Sequence, residues 1–79
     1  MIETIIKNEA YTFEGDLQQF KRHIRNLKIT ETIREGECLG IKIFEAIGRF
    51  KYNGLNHEIK ISKSWDKSNR LFITYLGGK

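Results

Sequence analysis

The chain has one cysteine, no proline and no long run of apolar residues. A single cysteine, Cys38, excludes an internal disulfide and a cysteine-based zinc site within one chain, and it is typical of a reducing compartment. No window approaches the roughly 18 apolar residues that a membrane span needs, and the first residues do not have the shape of a signal peptide. We therefore expect a soluble, cytoplasmic protein.

Catalytic and metal-binding patterns are also absent. The sequence has no phosphate-loop glycine pattern, no Gly-x-Ser-x-Gly and no pair of histidines at metal-ligand spacing. Residues 58–60 have the Glu-x-Lys spacing of some nuclease strands, but Asp16 and Asp66 are better explained as a helix cap and a turn residue than as further metal ligands. We expect no enzyme activity, no metal and no cofactor.

The 79 residues contain no repeat, low-complexity segment or linker, so we expect one domain, residues 1–79.

Asn53-Gly54 lies between two runs of alternating apolar and polar residues. This dipeptide favours a two-residue hairpin turn because both central residues need positive φ. We predict a hairpin over residues 48–62, in which Arg49 faces Glu58 on the wet face and Phe50 faces His57 in the core.

One helix is predicted over residues 16–27. Asp16 is a good N-cap, and Gln19 completes a capping box. The apolar residues Leu17, Phe20, Ile24 and Leu27 follow at helical spacing. The opposite side carries a secondary basic patch of Lys21, Arg22 and Arg25, which either complements the helix dipole or binds phosphate.

The remaining segments read as strands. We expect strands over residues 2–7, 28–34, 38–44 and 71–76, with a turn at 35–37 and a bulge or bend near Gly48. The strand over 28–34 is expected at an edge of the sheet, because Glu31 would face apolar neighbours there. The next strand would turn Leu39, Ile41 and Ile43 inward.

The last strand, 71–76, is apolar on both faces, which favours either a central position with cover on both sides or an oligomer interface. The predicted fold is α+β, an antiparallel sheet of five or six strands with one helix on one face, in the order β-α-β-β-β-β-β. One helix cannot cover such a sheet, so we expect a homo-oligomer.

Charge is unevenly distributed along the chain. The net charge is +4, but residues 1–48 carry −1 and residues 49–79 carry +5. A basic face with an exposed aromatic can follow a phosphate backbone and stack a base. The predicted nucleic-acid or nucleotide site comprises Lys42, Arg49, Lys51, Lys60, Trp65 and Arg70. The alternative is an ordinary solvated surface, with Trp65 folded back on the protein.

Two functions therefore stand as hypotheses. The first is a small basic, non-enzymatic protein that binds nucleic acid or a nucleotide. The second is an inhibitor or regulator of the kind that phages and mobile elements encode, for example an anti-defence protein, which acts by binding an acidic host protein. Its interface would be the apolar last strand or the basic helix face.

Overall fold

A computed structural model describes residues 1–78 and shows one antiparallel sheet of five strands with two short helices. In chain order the elements are α1 (Ile2–Asn8), β1 (Ala10–Glu14), α2 (Leu17–His23), β2 (Lys28–Cys38), β3 (Ile41–Tyr52), β4 (Leu55–Lys63) and β5 (Arg70–Gly78). The sheet order is β1-β5-β4-β3-β2. The α+β class, the antiparallel sheet and the edge position of β2 are confirmed, whereas the order of elements is α-β-α-β-β-β-β.

The core lies on one face of the sheet, beneath both helices. Ile5 of α1 and Phe20 of α2 are fully buried there against apolar residues from four strands. The strand residues of this core are Phe13, Phe50, Ile59, Ile61, Leu71 and Ile73. The other face of the sheet carries no helix, and we call it the open face.

The first segment is a helix, so the prediction of a strand over 2–7 is wrong. In a helix Ile2 and Ile5 fall on one side, and Ile5 becomes fully buried while Glu3 and Lys7 stay in solvent. Glu3 and Lys7 also complement the dipole at the two ends of α1. Burial of the isoleucine stripe against the sheet outweighs the preference of β-branched residues for strands.

The second helix is shorter than predicted. Asp16 and Gln19 form the expected capping box, with reciprocal bonds of 2.9 Å. The helix ends at His23, and the chain turns so that the Leu27 N–H donates to the Ile24 carbonyl at 3.1 Å. Ile24 and Leu27 therefore reach the core from this turn rather than from a helix.

The Asn53-Gly54 hairpin is confirmed in every predicted pair, from Tyr52 opposite Leu55 to Gly48 opposite Ile59. Both turn residues have positive φ, 53° for Asn53 and 78° for Gly54. Because β3 has no irregularity against β4, the predicted bulge near Gly48 is wrong. Two residues of β2, Thr30 and Ile33, are bulged instead.

Gly48 permits close packing of Leu27 on β3 instead of a bulge. A Cβ at this position would lie 2.9 Å from Leu27 Cδ1, closer than real side chains approach. The glycine thus lets the turn after α2 pack directly on β3.

The turn between β2 and β3 lies at Leu39-Gly40, not at residues 35–37. Cys38 consequently pairs with Ile41, and Ile41 and Ile43 point to the open face instead of the core. The inward residues of β3 are Phe44, Ala46, Gly48 and Phe50. Leu39 itself is 92% exposed.

The last strand is longer than predicted, Arg70–Gly78, and it lies between β1 and β4. Leu71 and Ile73 are buried in the core, as the alternation indicates. Phe72 and Leu76 are 43% and 49% exposed on the open face. The strand is therefore internal to the sheet, but its second face has no cover within residues 1–78.

Candidate functional site

Most of the predicted basic residues lie on the open face, and three of them are held by carboxylates. Arg49 Nη2 lies 3.1 Å from Glu58 Oε2, as the hairpin register predicts. Lys60 Nζ lies 3.3 Å from Glu45 Oε2, and Arg70 Nε lies 3.8 Å from a Glu14 carboxylate oxygen. These pairs are partly exposed to solvent, so each contributes about 1 kcal/mol at most, but each also cancels positive charge locally.

Lys42 is not part of this group. It stands opposite Glu37 on the other face of the sheet, where it lines a groove with Lys63 and Lys67. The ammonium of Lys63 is already hydrogen-bonded within the protein, since it donates to the Ser68 carbonyl at 2.6 Å.

Trp65 lies far from the basic end of the hairpin. It is 68% exposed in the loop between β4 and β5, beside Ile43 and Phe72 of the open face. Asn56 and Lys63, near the two ends of β4, are about 23 Å apart at the usual rise of a strand. Trp65 and Lys51 therefore cannot contact the same nucleotide.

The loop that carries Trp65 is held by Asp66. This carboxylate accepts hydrogen bonds from the Ser68 N–H at 2.9 Å, from the Ser68 hydroxyl, and from the Ser64 hydroxyl at 2.9 Å. These bonds favour the ionised form and lower the pKa of Asp66 to about 2. The prediction of Asp66 as a turn residue is confirmed, and the indole of Trp65 is exposed rather than folded over the sheet end.

Three cations do come together at the opposite end of the open face. Lys28 of β2 is the direct partner of Arg49 on β3, and Lys51 lies two residues further along the same face. We call Lys28, Arg49 and Lys51 the basic corner. They line a shallow groove of about 410 Å³ together with Asn26, Thr30, Phe50 and Asn56.

Lys28 is not among the site residues predicted from the sequence, because its cross-strand neighbour depends on the register between β2 and β3. Within residues 1–78, neither Lys28 nor Lys51 forms an ion pair, so only Arg49 of the basic corner has its charge partly cancelled, by Glu58. Like charges at adjacent positions repel each other, and an anion bound between them would relieve that repulsion.

Asn26 fixes the backbone of the basic corner. Its amide donates to the Lys51 carbonyl at 3.0 Å, and its side-chain oxygen accepts from the Lys51 N–H at 3.1 Å. These two bonds extend the ladder of β2 beyond Lys28, where the strand itself ends. The side chain of Lys51 is thus presented from a paired backbone.

The secondary basic patch is a separate surface. Lys21 and Arg22 lie in the last turn of α2, and Arg25 lies in the turn that follows; all three are exposed. They belong to the helix side of the molecule and do not line the groove of the basic corner.

His57 is packed in the core, as predicted. Its ring stacks on Phe50 with centroids 5.5 Å apart. The Nε2–H donates to the Tyr52 carbonyl at 3.3 Å, which leaves Nδ1 to accept from the Tyr75 hydroxyl at 2.8 Å. The Tyr52 hydroxyl donates to Glu3 at 2.8 Å, and this bond to a carboxylate raises the pKa of Tyr52. The network ties α1 to the hairpin.

Within residues 1–78 no group of three His, Cys, Asp or Glu side chains is arranged to hold a metal ion. None of the helices in that range has the length and apolar character needed to cross a membrane. Comparisons of the chain with protein-family models, with curated proteins and with solved structures found no match.

Proposed function

We propose that this protein is a non-enzymatic nucleic-acid-binding module that contacts the phosphate backbone through the basic corner. The observation that carries the proposal is the convergence of Lys28, Arg49 and Lys51 on one groove, two of them without an ion pair within residues 1–78. Lysine and arginine side chains on phosphates supply the sequence-independent part of nucleic-acid affinity.

The shape of the groove favours a backbone over a free nucleotide. It is open and shallow, and its one aromatic residue, Phe50, is 1% exposed and belongs to the core. A base therefore has no platform for stacking at the basic corner. Trp65, at the other end of the face, lies too far away to serve the same nucleotide. The proposed ligand is a run of phosphates that is read by charge alone.

Three phosphate contacts predict a defined salt dependence. The logarithm of the binding constant should fall with the logarithm of salt concentration with a slope of about −2 for single strands and about −3 for duplexes. Fluorescence anisotropy with labelled oligonucleotides of both kinds measures this slope directly. The same titration with inorganic phosphate and a mononucleotide tests whether a chain of phosphates is required.

Charge-removing variants locate the site. Lys28→Gln and Lys51→Gln should each weaken binding several-fold and should each reduce the steepness of the slope by about 0.7 to 0.9. Lys21→Gln on α2 is the matched control with the same change of charge away from the groove. Lys60→Gln is a control on the open face, because its ammonium already contacts Glu45. Equal losses in all four variants would show that net charge alone drives binding and would overturn the assigned site.

A second candidate is an acidic protein surface. Leu76 lies beside Arg49, Glu58 and Asn56 around a depression of about 280 Å³, so an apolar side chain adjoins the basic corner. Such a mixture suits a protein partner of the inhibitor hypothesis better than it suits a phosphate backbone. In that case Leu76→Ser should abolish capture of one stoichiometric acidic protein, and nuclease treatment should leave the complex intact. Oligonucleotide binding that is indifferent to Leu76→Ser would favour the first proposal.

A further inference from the structure

The hairpin of β2 and β3 extends beyond the rest of the sheet. Pairing of β3 with β4 begins at Glu45 opposite Ser62, whereas pairing of β3 with β2 continues for four more residues to Ile41 opposite Cys38. We call residues 35–44 the arm. It is a two-stranded ribbon, and the molecule is accordingly elongated, 42 × 21 × 20 Å.

The two faces of the arm differ in character. Its open-face residues are all uncharged, namely Gly36, Cys38, Ile41 and Ile43. The opposite face carries Glu35, Glu37, Lys42 and Phe44. A two-stranded ribbon alone in water is marginally stable, and Ile41 and Ile43 remain partly exposed on this one. The stripe therefore indicates a surface that packs on something else.

The turn at the tip of the arm has a residue that its backbone conformation disfavours, unlike the turn of the second hairpin. Leu39 and Gly40 have φ of 52° and 78°, which match the 53° and 78° of Asn53 and Gly54 in the second hairpin. At the first of these positions asparagine is favoured, because side chains of other residues clash in the left-handed region. Leu39 occupies it with 92% of its surface exposed. Neither turn geometry nor contact with water favours a leucine there.

A groove of about 190 Å³ lies at the root of the arm. Its apolar lining comprises Ile43, Phe44, Trp65 and Phe72, and its polar lining comprises Arg34, Glu45, Ser62 and Lys63. Leu39 does not fill this groove in its own chain, because 92% of its surface is exposed at the tip of the arm. In a second copy related by a two-fold axis across the arm, the tip of each chain lies at the root of the other.

We propose that two copies of this chain pair through their arms, with Leu39 of each inserted into the groove of Ile43, Trp65 and Phe72 of the other. Tip and groove are complementary in character, because Leu39 at the tip and Trp65 and Phe72 in the groove are all exposed apolar side chains in a single copy. The stripe between them carries no charge, so two identical surfaces meet without like-charge repulsion. The proposal is independent of the basic corner, which lies about 26 Å away at the other end of β3.

Trp65 is the only tryptophan of the chain, and because it lines the groove its fluorescence reports on burial of the groove. Sedimentation equilibrium and intrinsic fluorescence should be followed from low to high micromolar protein. We expect a monomer–dimer equilibrium in which the emission of Trp65 shifts to shorter wavelength as dimer forms. Protein that stays monomeric over the whole range would overturn the proposal.

Leu39→Asn separates association from folding. Asparagine suits the turn, so the variant should keep the fold and should melt no lower than the wild-type monomer, while the dimer dissociation constant rises at least tenfold. Leu55→Asn is the matched control, since Leu55 is a half-exposed leucine in the other hairpin. An unchanged dimer in Leu39→Asn, or equal weakening by Leu55→Asn, would contradict insertion of the arm tip.

A mixing experiment tests the reciprocal contact. Phe72→Ser damages the groove, and Leu39→Asn damages the tip, so each variant alone should be monomeric. Mixed together, one Leu39 tip and one intact groove remain, and a mixed dimer should form with weaker affinity than the wild type. Absence of any mixed dimer would refute tip-in-groove pairing.

Discussion

Removal of the Ile5 side chain tests whether α1 is a docked helix. Ile5 is 0% exposed and is the one buried residue of α1. Truncation of a fully buried isoleucine to alanine costs about 2 to 5 kcal/mol through lost apolar burial and the cavity left behind. We expect about 3 kcal/mol for Ile5→Ala, a large share of the about 4 to 12 kcal/mol typical of a domain of this size.

Urea denaturation followed by circular dichroism measures this change, and a thermal melt should show a decrease of about 12 to 24 °C. Thr4→Ala is the companion variant, because Thr4 is exposed on the same segment. In a helix this substitution stabilises by a few tenths of a kcal/mol, since alanine is the better helix former. In a strand it destabilises, since threonine is the better strand former.

The sign of the Thr4→Ala effect therefore decides between the two structures of the first segment. A destabilising Thr4→Ala together with a loss below about 1 kcal/mol for Ile5→Ala would refute the docked helix and restore a frayed strand. A large loss for Ile5→Ala with a small gain for Thr4→Ala would confirm that the helix is fastened by one buried side chain.

Two further perturbations test the loop and the core. The pKa of Asp66 is about 2 in the folded protein, below its ordinary value of 3.8, so its carboxylate stabilises the fold above pH 4 and this contribution is lost as the pH falls from about 4 to 2. Asp66→Asn should flatten the decline in melting temperature over that window, and an unaltered decline would show that other carboxylates cause it. Gly48→Ala would place a Cβ 2.9 Å from Leu27 Cδ1, a terminal methyl of a buried side chain that must shift, and should cost about 1 kcal/mol in chemical denaturation. Gly36→Ala, in a strand and with nothing within 4 Å of the added carbon, should be neutral or slightly stabilising; equal losses at both glycines would argue against the tight contact.

The hairpin of β3 and β4 could be predicted in detail because its information is local. Asn53-Gly54 determines a two-residue loop, and a two-residue loop determines every pair that follows. The burial of Phe50 and His57 and the ion pair of Arg49 with Glu58 are consequences of that one turn. The capping box of α2 is local in the same way.

The arm could not be predicted because its turn contradicts local preference. Residues 35–37 offer a glycine between two charged residues, whereas the observed turn begins with a leucine at positive φ. No rule of turn chemistry assigns Leu39 to that position. The expected bulge near Gly48 placed Ile41 and Ile43 on the wrong face, since one extra residue in a strand reverses the facing of every side chain beyond it.

The basic corner depends on a feature that is less visible still in the sequence. From the arm tip to Glu45, β2 and β3 pair regularly, and an uninterrupted ladder would bring Thr30 opposite Arg49. The two unpaired residues of β2, Thr30 and Ile33, displace the register by two positions and bring Lys28 there instead.

Thr30 stabilises its own bulge, since its hydroxyl donates to the Ile47 carbonyl at 3.3 Å. The bulges also interrupt the edge of the sheet, which discourages pairing of β2 with a foreign strand. Such irregularities cost regular hydrogen bonds and are found where a strand must redirect a side chain. In β2 the bulges therefore have two effects. They protect the edge of the sheet, and they bring together three cations that are far apart in the sequence. The bulges thereby leave the arm as the proposed site of association between two copies, and the far end of the open face as the proposed site of a charged ligand.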